Sequence, residues 1–178
     1  MVRRDSALRN DVACDKHVLL KKAVIIDKIL AELASELEGY LRSARSAHAE
    51  ATDEQSKAEN KYDTRGLEAS YLAHGQSRQA LEITEAIEQY RALEPRDFGP
   101  AEPVDIGAVV AVESKRETAH YFMGPRAGGT EVVVDSVAVT VITPPSPLGQ
   151  QLAGKKTGDT WSMKIGGRAE KYRITRIL

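Results

Sequence analysis

Residues 1–94 of this 178-residue chain contain no proline, and within them two series of mostly apolar residues recur in steps of three and four. The first is Ile26, Leu30, Leu33, Leu37, Leu41, Ala44, Ala47 and Ala51; the second is Ala69, Leu72, Gln76, Ala80, Ile83, Ile87 and Tyr90. A repeat averaging about 3.5 residues puts a narrow stripe on each helix, the seam of a coiled coil. Antiparallel partners have position numbers with a constant sum. Pairing 51 with 72, 47 with 76, 44 with 80, 41 with 83, 37 with 87 and 33 with 90 gives 123 or 124, and bends the chain near residue 62. Sliding one heptad gives sums near 117 and a bend near residue 58. Both registers stay open, and both put the tip between Ser56 and Asp63. Toward the tip the seam thins from Leu and Ile to Ala, so the distal end buries less area and frays first. At about 1.5 Å per residue the rod is roughly 50 Å long, longer than its own small core requires. The bland reading is a dimerisation or spacer coiled coil, and what lies at the tip must decide.

All seven prolines and ten of the 13 glycines lie beyond residue 94. The segment Pro95 to Pro103 reads as a linker, because proline fixes φ and lacks the N–H a helix needs. Beyond it the pattern is that of strands: Gly107 to Val112, His120 to Met123, Glu131 to Ile142, Trp161 to Ile165 and Lys171 to Ile177, with Gly166 and Gly167 as a hairpin turn. Ser146 can cap a short helix with Pro147 at its first position and Gly154 at its end. The expected fold is α+β: an antiparallel coiled-coil hairpin over residues 1–94 with its tip at about 53–63, a linker over 95–103, and a small β domain over 104–178. That domain is expected to hold a four- or five-stranded sheet and one short helix.

With 25 basic and 26 acidic side chains the net charge is −1, which excludes a wholesale nucleic-acid binder. The single cysteine, Cys14, permits no internal disulfide and no Cys-rich zinc site. The apolar stretch Ala23 to Ile26 is too short for a signal peptide. The uncharged run Ser136 to Gly154 holds three prolines, which argues against a membrane span. The expected location is the cytoplasm.

The segment Ser146-Pro147-Leu148-Gly149-Gln150-Gln151-Leu152-Ala153-Gly154-Lys155-Lys156-Thr157-Gly158-Asp159 closely resembles the signature of the C-terminal domain of the bacterial Gre transcript-cleavage factors, GreA and GreB. Those proteins read Ser-Pro-Leu-Gly, a few residues, Leu, one residue, Gly-Lys, then Gly-Asp. Asp105 to Val110 and the closing hairpin with Tyr172, Ile174 and Ile177 are similar too, so the likeness covers roughly residues 104–178. The heptads independently supply the N-terminal hairpin of that family. The resemblance implies an FKBP-like β domain docked on RNA polymerase at its secondary channel, with the hairpin reaching toward the active centre and touching nascent RNA only indirectly. It makes Ser146, Pro147, Leu148, Gly149, Lys155, Gly158 and Asp159 the partner-binding residues. It implies an accessory factor rather than an enzyme, with no cofactor of its own beyond a Mg²⁺ shared with the polymerase.

In the family, acids of the tip motif Asp-Leu-Ser-Glu-Asn-Ala-Glu-Tyr hold that Mg²⁺ and a water. The corresponding stretch here is Ser56-Lys57-Ala58-Glu59-Asn60-Lys61-Tyr62, in which Glu59, Asn60 and Tyr62 correspond, one residue is missing before Tyr62, and Ser56 stands where the family has its first aspartate. Mg²⁺ takes hard oxygen ligands, one or two of them protein carboxylates, so Glu59 needs a neighbour. Asp63, four residues on, is the best placed, with Glu54 and Asp53 secondary. The alternative is a solvated charged tip in which Asp63 or Thr64 caps the second helix. The four histidines lack ligand spacing, although His48 and His74 should lie near each other across the hairpin. Three outcomes follow: a polymerase-binding factor that stimulates RNA cleavage, a polymerase-binding modulator without cleavage, or a coiled-coil interaction protein that docks elsewhere. The hairpin folding on itself makes a monomer the expected state.

Overall fold

The computed structural model describes residues 21–52, 65–99, 101–115, 117–165 and 168–178. The tip from Ser56 to Asp63, and residues 1–20 with Cys14 and His17, lie outside them. Helices α1 (Lys22–Thr52) and α2 (Arg65–Arg91) run antiparallel and pack along each other. Ile26, Leu33 and Ala47 are buried from the first series, and Ala80, Ile83, Ile87 and Tyr90 from the second. Toward the tip the seam departs from the heptads. Leu72 is 54% exposed and Leu41 39%, while Ala73 turns partly inward. The pairs 48/74 and 52/70 line one cavity, and both sum to 122, nearer the register that bends near residue 62.

Toward the base the buried stripe widens to include Ile25, Ile29 and Ala86. A two-helix seam does not need these positions. They are buried because a third layer covers the hairpin there.

That layer is a mixed sheet. Among the described residues its strands are β1 (Val109–Glu113), β2 (Thr118–Met123), β3 (Glu131–Val134), β4 (Val137–Ile142), β5 (Thr160–Ile165) and β6 (Arg168–Ile177), in the order β3-β4-β2-β1-β6-β5. Only β2 and β4 pair in parallel; every other neighbouring pair is antiparallel. The sheet thus has more strands than the four or five expected. The difference lies at Glu131 to Ile142, which is a hairpin rather than one run: Val134 pairs with Val137, and Asp135 and Ser136 form the turn with φ of 49° and 66°. Two-residue hairpins with both φ positive match the twist of the strands and usually carry Asn-Gly or Asp-Gly. A serine in that place hides the turn.

Period-two alternation divides the sheet between two cores. Val109, Phe122, Val132, Val134, Val139 and Val141 face the hairpin base and join Ile25, Ile29, Leu33, Ile83, Ile87 and Tyr90 in one cluster. On the opposite face Val110, Val112, Met123, Ile142, Ile174 and Ile177 pack with Leu152 of α3 (Pro147–Leu152), Trp161 and Phe98. Burial on both faces explains why the central strand β1 reads as consecutive valines rather than as an alternating pattern.

The connector from Pro95 to Pro103 is held against the structure at both ends. Phe98 is only 7% exposed, and the cations of Lys22 and Arg96 lie 4.4 and 3.8 Å from its ring centroid. The Lys22 ammonium donates to the Arg96 carbonyl, Arg96 pairs with Glu102 at 3.0 Å, and Val104 N–H donates to the Lys155 carbonyl at 2.8 Å.

Candidate docking surface

The expected partner-binding residues form one continuous loop from Thr143 to Asp159, and most of them build it. Ser146 caps α3: its hydroxyl accepts from the Gly149 N–H at 3.1 Å and donates to the Thr143 carbonyl at 2.7 Å. Pro147 occupies the first helical turn, where its missing N–H costs nothing. A Cβ on Gly149 would run into the Thr143 carbonyl and sit 2.9 Å from the Ser146 hydroxyl, so glycine is required by close approach. At the helix end Ala153 N–H bonds the Gly149 carbonyl at 2.8 Å, and Gly154, at φ 77°, donates to Val104 at 3.0 Å.

Lys155 takes part through its backbone, donating to Leu152 and accepting from Val104. The Asp159 carboxylate accepts from the Lys156 N–H at 2.8 Å. Gly158, at φ 93°, donates to the Ile174 carbonyl, and Ile174 N–H returns the bond to Asp159. Ser146, Gly149, Gly154, Gly158 and Asp159 therefore set the shape of the loop and tie it to β6 and the connector. Exposed side chains along the loop include those of Pro147, Gln151, Lys156 and Thr157, with Leu148 half-buried at the rim, and Gln150, also exposed, donates its amide to the Pro145 carbonyl at 3.0 Å.

Beside α3 the surface opens into a groove of about 450 Å³ lined by Tyr121, Ile142, Thr143, Pro147, Leu148 and Met163. Its walls are mainly apolar. Tyr121, Leu148 and Met163 also pack against the core beneath, and burial raises the Tyr121 phenol above its usual range, with Glu117 acting the same way. The groove thus presents an uncharged, mainly apolar floor. Tyr121, Met163 and the Thr143 acceptor escape sequence reasoning. Tyr121 and Met163 come from strands with ordinary alternation, and Thr143 acts through its carbonyl, which no side chain signals. Deeper in, Trp161 stacks on Tyr172 at 5.4 Å.

The other expected site residues fall elsewhere. Glu59 and Asp63, with the secondary Asp53 and Glu54, lie outside the described residues. His48 and His74 share a cavity of about 340 Å³ between the helices with Ser70 and Ser77, while His120 is half-buried on β2, its pKa lowered by burial. Among the described residues no group of three or more His, Cys, Asp or Glu side chains could hold a metal ion, and no helix is long and apolar enough to cross a membrane.

No protein-family model matches the chain, and no curated protein does. Among solved structures the chain is similar to Gfh1 of Thermus aquaticus, with 21% identity over 83% of this chain and 92% of that one and a TM-score of 0.37. It is similar to GreA factor homolog 1 (Gfh1) of Thermus thermophilus, with 22% identity over 84% and 94% and a TM-score of 0.34. A third similar structure is the prokaryotic transcription elongation factor GreA/GreB from Nitrosomonas europaea, at 19% identity over 62% of this chain and 91% of that one, TM-score 0.35.

Proposed function

We propose that the chain is an accessory transcription elongation factor that binds RNA polymerase through the loop from Ser146 to Asp159 and places its hairpin in the secondary channel. The observation that carries this reading is the loop itself: a Gre-type signature in which each glycine and cap has a geometric reason, beside an apolar groove, on a sheet that bears a long hairpin. A titration of the full chain against RNA polymerase tests it. Leu148→Ala removes apolar surface at the groove rim and is expected to weaken binding about tenfold, equivalent to about 1.4 kcal/mol, while helical circular dichroism stays unchanged. Equal affinity for the variant and the wild type counts against this docking surface.

At the tip, Glu59 and Asp63 are the acids that would share Mg²⁺ with the polymerase in a cleavage-stimulating factor. Glu59→Gln and Asp63→Asn should then abolish cleavage of a stalled complex with affinity nearly unchanged, the pattern of an interaction made in the transition state. Ser56, standing where the family has an aspartate, favours a second version: a factor that occupies the channel and modulates the polymerase without cleavage. Ser56→Asp raises cleavage on the first version. A wild type that binds yet gives no cleavage at any Mg²⁺ concentration leaves the second.

A coiled-coil docking protein unrelated to polymerase would present a continuous apolar stripe along the rod. Tyr71, Leu72 and Leu81 of α2 are exposed, but at about 100° per residue they spread around the helix and form no stripe along it. Single exposed side chains of this kind are ordinary.

A further inference from the structure

Where the hairpin meets the sheet, a buried polar contact is set in an apolar interface. Tyr90, one residue before the end of α2, is 1% exposed and donates its hydroxyl to the Arg126 carbonyl at 2.9 Å. Burial raises its pKa, so the hydroxyl remains a donor throughout the physiological range. Its acceptor lies in the loop between β2 and β3, and that loop is stiff: Gly124 and Gly129 donate to Ile142 and Val141, and Val141 donates back to Thr130, each at 2.8 Å. Gly124 leaves the space that the Tyr90 hydroxyl fills, since a Cβ there would overlap it and stand 3.0 Å from Val141 Cγ1. Glu85 of α2 adds an ion pair to the Arg126 side chain at 3.4 Å, but both groups are well exposed and such pairs contribute little.

Beyond this contact, toward the tip, the helices and the loop part company. A cleft of about 700 Å³ opens there, lined by Glu32, Glu36, Gln79 and Glu82 on the rod and Gly128 and Gly129 on the loop. The rod therefore has open space on that side, and its direction depends on the contacts nearer the base. From Tyr90 to the far end of α2 is about 37 Å at about 1.5 Å per residue, so a tilt of about 10° carries that end by about 6 Å.

We propose that Tyr90, seated on Gly124 and bonded to the Arg126 carbonyl, is a positioning residue that sets the angle of the hairpin against the sheet. This rests on the polymerase reading only for its consequence: a tip delivered through a channel must arrive where the docked β domain aims it. The latch itself is a property of the free chain.

Spin labels at Tyr71→Cys on the rod and Lys171→Cys on β6, in a Cys14→Ser background, read the angle in the full-length free protein by pulsed electron resonance. The parent is expected to give one narrow distance distribution. Tyr90→Phe keeps the ring and removes only the donor, and should broaden the distribution about twofold or shift its centre by several Å, as the lever arm dictates. Gly124→Ala, which leaves residue 90 a tyrosine but puts a methyl group against its hydroxyl, should shift it the same way, with Trp161 fluorescence confirming a folded β domain in both variants. An unchanged distribution for Tyr90→Phe overturns the proposal, whatever Gly124→Ala does. With polymerase, Tyr90→Phe should bind with affinity within about twofold of the parent yet lose most of the tip-dependent effect, a split between binding and outcome that a merely structural defect does not give. If the parent fails to bind polymerase at all, the functional reading falls and the distance data still decide the latch.

Discussion

Gly149 shows how a position read as partner-binding acts first on its own chain. It lies where the backbone of α3 passes over the Thr143 carbonyl and the Ser146 hydroxyl, so any side chain must push the cap apart. Gly149→Ala is expected to destabilise the protein by about 1–3 kcal/mol, the usual range for overpacking, and a urea titration followed through Trp161 reads it directly. A change below about 0.5 kcal/mol would mean that the loop adjusts and the glycine is not needed for fit.

Lys22 makes a second residue-scale case, because its sign can be worked out. Desolvation lowers its pKa from 10.5 to about 8, against the opposing pull of Asp97. Between those values the unfolded chain binds more protons than the folded one, so Lys22 makes stability rise as pH climbs through about 8 to 10. Lys22→Met removes the titration. The stability difference between wild type and variant should therefore move in favour of wild type between about pH 7.5 and pH 9.5. A difference that stays flat shows that the ammonium is hydrated in solution.

At the scale of elements, what is legible in the sequence is whatever repeats. The steps of three and four find both helices, and Ser146-Pro147 with Gly154 find α3, because caps are local chemistry between neighbours in sequence. Ile165 pairs with Arg168, and Gly166 and Gly167, expected as the turn between those strands, lie outside the described residues. What is not legible depends on contacts from far along the chain. Leu72 satisfies the heptad and is exposed, since which of two adjacent positions turns inward is set by the facing helix. The β3–β4 turn is hidden by Ser136, whose φ of 66° is unusual for serine. Ser136→Gly removes that strain at a site open to solvent and is expected to stabilise the protein by about 0.5–1 kcal/mol, offset in part by the freer unfolded chain. Its melting temperature should rise by about 1–4 °C for a chain of this size; a fall would place the strain elsewhere.

At the scale of the whole molecule, the change of composition near Pro95 marks a boundary in the sequence but not in the core. The face of the sheet formed by Val109, Phe122, Val132, Val134, Val139 and Val141 is covered by the base of the hairpin, and neither part buries its apolar surface without the other. Composition does not reveal this, because Ile25, Ile29 and Ala86 look like ordinary helix residues until something covers them. Each Val, Ile or Phe side chain of this shared core stabilises by about 1.5–3 kcal/mol when fully buried. Even half of that, summed over the face, is comparable with the roughly 5–15 kcal/mol net stability of a domain. Residues 104–178 produced alone are therefore expected to lose much of their stability, with the urea midpoint reported by Trp161 falling by half or more. They should also bind a hydrophobic dye and self-associate, since the uncovered face is a contiguous apolar patch. Adding residues 21–94 as a separate chain should reverse both effects if the shared core is what was lost. A fragment that melts at the same urea concentration as the full chain, and stays monomeric, would show that the sheet supports itself and that the hairpin merely rests on it.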